Sequence, residues 1–130
     1  MHIESPVVRL GKSRRDVYEF LTRLENFEQL MPDNIQTFEV LDPDTFRFAL
    51  KGMPEIVLRR KQQNPYDQIV LGAASDKLPF TLKADLREIT PEETEVGLSF
   101  EGEFNAMMAM MIKGPITNFL GILSQKLSGI

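Results

Sequence analysis

The spacing of hydrophobic positions changes three times along the chain, and each change marks a new kind of element. Ile3 to Leu10 alternate imperfectly, which predicts a first strand ending at Gly11. Val17, Phe20, Leu21 and Leu24 then recur at i, i+3, i+4 and i+7, one apolar helix face. Ser13 stands before it as an N-cap, with Asp16 at the third helical position. Asn26 is placed to cap a second short turn through Phe27 and Leu30, which Pro32 stops. From Ile35 the period becomes two. Phe38 and Val40, then Phe46, Phe48 and Leu50, flank the turn Asp42-Pro43-Asp44 as a hairpin. After the turn Gly52-Met53-Pro54, Ile56 and Leu58 begin a third strand of this series, and Asn64 to Asp67 turn it back. Gln68 to Ser75 reads as a short strand with small residues at Gly72, Ala73 and Ala74, closed by Asp76-Lys77. Two clear amphipathic strands follow. Leu78, Phe80, Leu82, Ala84 and Leu86 share one face, and after Thr90 to Glu93 so do Val96, Leu98, Phe100, Gly102 and Phe104.

The last change is back to a helical period. At about 100° per residue, Met108, Ile112, Ile116, Phe119, Leu120, Leu123 and Leu127 fall on one stripe, with Met111 and Ile122 at its margin. This predicts a helix from about Ala106 to Leu127. Met107 and Met110 project roughly 120° to 180° away from the stripe, where core filling does not explain them. Pro115 removes an amide from the helix, so Gly114-Pro115 is either a gate that frees the Met-rich first turns or a fixed bend that follows the sheet. Six strands joined by turns too short for parallel crossovers make an antiparallel meander, and this helix is the element large enough to cover it.

Composition narrows the chemistry. A chain of 130 residues, 42% hydrophobic and 26% charged, suits one domain spanning 1–130. It has no cysteine, hence no disulfide, thiolate metal site or cysteine nucleophile. His2 is the single histidine, too few for a histidine-based metal site or triad. The eight glycines form neither GxGxxG nor GxxxxGK, and no cofactor motif is visible. A net charge of -4 and a basic cluster only three residues long, Arg59 to Lys61, argue against nucleic acid. The N-terminus shows no basic region followed by an apolar one, and no window approaches about 18 apolar residues, so the expectation is a cytoplasmic protein without membrane insertion.

In this order the elements resemble the START-like superfamily, also called SRPBCC, helix-grip or polyketide cyclase-like proteins. The resemblance spans the chain. It is carried by Ser13-Arg-Arg-Asp-Val17-Tyr-Glu-Phe20-Leu21, by Asn26-Phe27-Glu-Gln-Leu30-Met-Pro32, and by Phe100-Glu-Gly-Glu-Phe104 directly before the last helix. It implies an α+β helix-grip fold: a curved antiparallel sheet of about seven strands around a long C-terminal helix, with two short helices after strand one. It also implies a cavity between sheet and helix. The family holds carriers, cyclases, oxygenase subunits, chaperone activators and toxin-like proteins, and no single catalytic motif carries over.

Three functions follow as expectations. The first is a binding protein for a hydrophobic, lipid-like or aromatic small molecule. Its pocket is lined by Phe46, Phe48, Leu58, Leu71, Phe80, Leu82, Phe100, Met108, Met111 and Phe119. Arg60, in line with Ile56 and Leu58, and Glu4, in line with Val8 and Leu10, either face inward as polar anchors or turn to solvent at strand ends. The second is a cyclase or hydrolase-type enzyme, for which Arg60, Glu4, Tyr18 and Tyr66 are the candidate groups. The third is an interaction or co-chaperone-like module that uses Met107 and Met110 as an interface, with a weak homodimer among its outcomes.

Overall fold

A computed structural model describes residues 1–33, 35–50, 55–73 and 80–130. In chain order the elements are β1 (His2–Glu4), β2 (Val8–Leu10), α1 (Arg14–Thr22), a 3₁₀ segment (Leu24–Leu30), β3 (Ile35–Asp42), β4 (Thr45–Leu50), β5 (Ile56–Asn64), β6 (Gln68–Ala73), β7 (Phe80–Thr90), β8 (Glu93–Gly102) and α2 (Ala106–Leu127). This is the helix-grip α+β fold. The strands form one antiparallel sheet in the order β1-β8-β7-β6-β5-β4-β3, with β2 also on β8. The turn expected at Gly52 to Pro54, the end of the strand at Ala74 and Ser75, the turn at Asp76-Lys77 and the strand start at Leu78 lie outside the described residues.

Side-chain caps set where the helices begin, the one at Ser13 as predicted and the one at Asn105 found only in the structure. The Ser13 hydroxyl accepts the Asp16 amide at 3.1 Å, and the Asn105 side-chain oxygen accepts the Met108 amide at 2.8 Å. Asn26 acts differently from the expectation. The 3₁₀ segment already begins at Leu24, so Asn26 lies inside it and donates to the Phe20 carbonyl at 2.9 Å, closing the end of α1.

The first strand also departs from its reading. It divides into two pieces at Ser5-Pro6-Val7, giving an eight-stranded sheet where about seven were expected. Ile3 pairs with Phe100, whereas Val8 pairs with Val96, so β1 and β2 stand one residue out of register on β8. A one-residue slip exchanges the two faces of a strand. Ile3 is buried and Glu4 is exposed, because parity counted back from Leu10 does not cross the slip. Ser5 holds the bulge: its hydroxyl accepts the Leu98 amide at 3.2 Å and donates to the Pro6 carbonyl. Ser124 of α2 donates to the same carbonyl at 3.1 Å, which ties the bulge to the helix.

The core fills the space between sheet and α2. Val96, Leu98 and Phe100 of β8 are buried, as are Ile116, Phe119, Leu120, Leu123 and Leu127 of α2. Each such side chain removed from water contributes about 1.5–3 kcal/mol. The grip is one-sided along the helix, however. No residue from Ala106 to Pro115 is buried, and Met111, expected to line the cavity, is 66% exposed. The helical stripe was assigned correctly as an angle, but burial also needs something opposite, and the buried positions of α2 all lie from Ile116 onward. By length and composition alone α2 is long and apolar enough to cross a bilayer, although it holds no unbroken run of about 18 apolar residues.

Candidate functional site

Sheet and helix bring most of the predicted lining residues together. Phe48, Leu58, Phe80, Leu82, Phe100 and Phe119 surround one void beneath α2, and Leu71 and Leu82 border a second. These voids measure about 10 and 20 Å³, large enough for a water molecule at most. The spacious cavity that the resemblance implied is filled here by the protein's own side chains. Phe46 lines neither void; it stacks between Phe27 at 5.3 Å and Phe48 at 5.9 Å. Met108 is half-buried, and Met111 stands outside.

Open space begins on the other side of Phe119. A cleft of about 550 Å³ runs between α2 and the end of β4, lined by Pro32, Leu50, Gly114, Pro115, Asn118, Phe119 and Ile122. Phe119 lines both this cleft and the inner void. It is 4% exposed and stacks on Phe48 with ring centres 5.0 Å apart and planes 13° from parallel. The helix beside it is continuous through Pro115. Pro115 has no amide to offer the Met111 carbonyl, and Thr117 adds a second bond to the chain behind it by donating to the Lys113 carbonyl at 2.6 Å. On the far wall, Lys126 donates to the Met31 carbonyl at 2.7 Å and lies 3.4 Å from Asp33, which fixes Pro32 against α2. Asn118 is the one side chain with hydrogen-bonding atoms among the cleft's described lining. The site therefore accepts apolar surface and one or two hydrogen bonds, and it has no acid or base with which to work.

The charged candidates lie elsewhere. Arg60 does share the inner face with Leu58, but its guanidinium donates to the Thr22 carbonyl at the end of α1 and to the Pro43 carbonyl at 3.1 Å. Its Nε is 3.6 Å from Asp44 and has no hydrogen bond. Tyr18 packs edge-on against Tyr66 at 5.4 Å, and burial pushes its hydroxyl pKa up against the opposing pull of Arg60. A phenol so shifted stays protonated and is poorly suited to act as a base. Glu4 sits on the outer face, where it and Glu101 each lie 2.9 Å from a ring nitrogen of His2. None of Glu4, Tyr18, Arg60 and Tyr66 borders the cleft.

A second concavity, about 710 Å³ and open, lies on the outer face around Lys61, Val70, Gly72, Thr81 and Glu101. The Lys61 stem lies across Gly72, where a Cβ would come within 2.8 Å of it. Sequence reasoning missed both concavities. Gly114-Pro115 was the one available signal for the cleft, which it lines, and the outer groove has no periodic signature.

No protein-family model matches the chain, and no curated protein matches it. Solved structures do. Norcoclaurine synthase from Thalictrum flavum matches with a TM-score of 0.77 at 10% identity, over 99% of this chain and 84% of that one. It has also been solved in complex with dopamine and hydroxybenzaldehyde. A START superfamily protein from Mycobacterium smegmatis matches with a TM-score of 0.71 at 15% identity, over 98% of this chain and 94% of that one. A conserved protein from Geobacillus kaustophilus gives 0.71 at 12% identity, over 99% and 93%. At such identities the likeness is one of fold, and that fold is START-like.

Proposed function

We propose that residues 1–130 act as one START-like domain, a small cytoplasmic binding protein for a lipid-like or aromatic small molecule. The ligand docks in the cleft beside Gly114-Pro115 and displaces Phe119 to reach the space among Phe48, Leu58, Phe80, Leu82 and Phe100. The single observation that carries this reading is the position of Phe119, which lines both the open cleft and an inner void walled wholly by apolar side chains. Leu71 lines the neighbouring void and Phe46 stacks on Phe48 behind that space, whereas Met108 lines neither cleft nor void. Arg60 is left out of the site because it lines neither cleft nor void and its Nη2 donates to the Thr22 and Pro43 carbonyls. The norcoclaurine synthase likeness invites an enzyme reading, but no titratable side chain borders the cleft among the described residues.

Titration with the uncharged fluorophore N-phenyl-1-naphthylamine tests the proposal, alongside native mass spectrometry of gently purified protein for a retained mass. Saturable binding is expected. Asn118→Trp, a change at an exposed position on the cleft wall, fills the cleft and weakens binding by about tenfold or more, with the unfolding midpoint unchanged. Binding that Asn118→Trp leaves untouched, or no binding to the unmodified chain, overturns it.

A further inference from the structure

The first turns of α2 present an apolar surface, Met107, Met110 and Met111, that the core does not cover. Ala106 to Pro115 contain four methionines, one isoleucine and a single charge, Lys113, and none of them is buried. Met107, Met110 and Met111 are 75%, 82% and 66% exposed. Methionine on an exposed helix face adapts its shape to a partner at small conformational cost, and contiguous apolar surface of this kind marks an interaction site.

Charge at the two ends of the patch says which partner fits. Glu101 and Glu103 precede the helix, Lys113 follows the methionines, and neither Glu103 nor Lys113 has an ion-pair partner among the described residues. The surface is thus acidic at one end and basic at the other, with an apolar middle. A bilayer-surface helix carries a row of cations along its flank, and this one carries a lone lysine beside two carboxylates on a chain of net charge -4. A second copy, turned antiparallel about a two-fold axis near Ala109, answers both ends at once. Met107 of each copy then lies opposite the Met111 turn of the other, and Lys113 of each lies by Asn105 and Glu103 of the other. Parallel pairing would set Glu103 against Glu103.

We propose that this chain self-associates through an antiparallel α2–α2 contact centred on Met107, Met110 and Met111 and flanked by two Lys113–Glu103 pairs. The contact is independent of the ligand cleft, and its size makes it weak. Three methionines and their flanks cover about the 300–600 Å² of an ordinary surface patch, short of the roughly 800 Å² per partner of a stable complex.

Sedimentation velocity of the full chain across a concentration series tests this. The sedimentation coefficient is expected to rise with concentration towards that of a dimer. Met107→Glu with Met110→Glu raises the dissociation constant by more than about tenfold without moving the thermal midpoint, since those carboxylates would be buried only in the dimer. Lys113→Glu weakens association by about fivefold, and adding Glu103→Lys to it restores the original affinity. A concentration-independent monomer overturns the proposal. So does association that survives the double Met→Glu change, a charge swap that fails to restore affinity, or co-sedimentation of monomer with uncharged phosphatidylcholine vesicles.

Discussion

Replacing Phe119 with alanine sets two consequences of one ring against each other. Phe119 is 4% exposed and stacks on Phe48, so its removal loses transfer free energy, a stacked pair and packing. Phe→Ala in a core costs about 3–5 kcal/mol. Phe119 also lines the 550 Å³ cleft, so the space left by its ring is expected to open to solvent instead of remaining a sealed void. The expected loss is therefore near the lower limit, about 3 kcal/mol. The same change joins cleft and inner void, so an apolar probe should bind the variant more tightly than the parent. At a free concentration of 100 times the dissociation constant, a ligand adds about 2.7 kcal/mol to the folded state. Urea unfolding of Phe119→Ala, alone and with N-phenyl-1-naphthylamine at that saturation, should show the loss and then its near-complete recovery, with the slope against urea unchanged. A loss below about 1 kcal/mol would mean that the ring is not part of the core. Full loss with no recovery, or weaker binding than the parent, would refute Phe119 as the wall between the two spaces.

Arg60→Met should destabilise the chain by about 1–2 kcal/mol in urea, since the Thr22 and Pro43 carbonyls lose a charged donor at a position that is only partly exposed; an unchanged midpoint would place that guanidinium in water. His2 should titrate above the ordinary imidazole value because of the hydrogen bond to Glu4 foremost, with Glu101 adding to it. Its raised folded-state pKa gives β1 a stabilisation that is fully present below the unfolded-state pKa and lost as pH rises through the folded one. Proton NMR of the ring should show the raised midpoint, Glu4→Gln should lower it, and amide exchange at Ile3 should quicken across the same interval; a midpoint that Glu4→Gln does not move refutes the contact.

Period together with cap and turn signals located both long helices and six of the strands among the described residues, because alternation and helical recurrence are direct images of which face is buried. Arg60 shares a face with Leu58 as alternation required, but its destination depended on α1 ending beside it. Glu4 shows the opposite outcome: a bulge adds one residue, and nothing in Ser5-Pro6-Val7 announces the exchange of faces beyond the proline itself. The pocket was the least legible part. Periodicity names the residues that face one another, and it does not report whether side chains meet or leave a space, which here differs by the position of a phenyl ring. Met111 was assigned inward from its angle at the edge of the stripe, yet angle cannot reveal how far along a helix its covering sheet extends.

The divided first strand has a further effect on the order in which the protein is assembled. β1 and β2 are made well before β8 but hydrogen-bond to it, and the Ser5 hydroxyl waits for the Leu98 amide 93 residues later. As the chain leaves the ribosome, the opening strand thus has no partner until nearly all of the sheet has been synthesised, and Ser124 fastens its bulge only when α2 arrives. Such distant closure is slow. The six-strand meander, built from neighbouring hairpins, can form early and hold its apolar face half-covered, so the species most exposed to misassembly is the nascent sheet that still lacks both its first strand and its last helix.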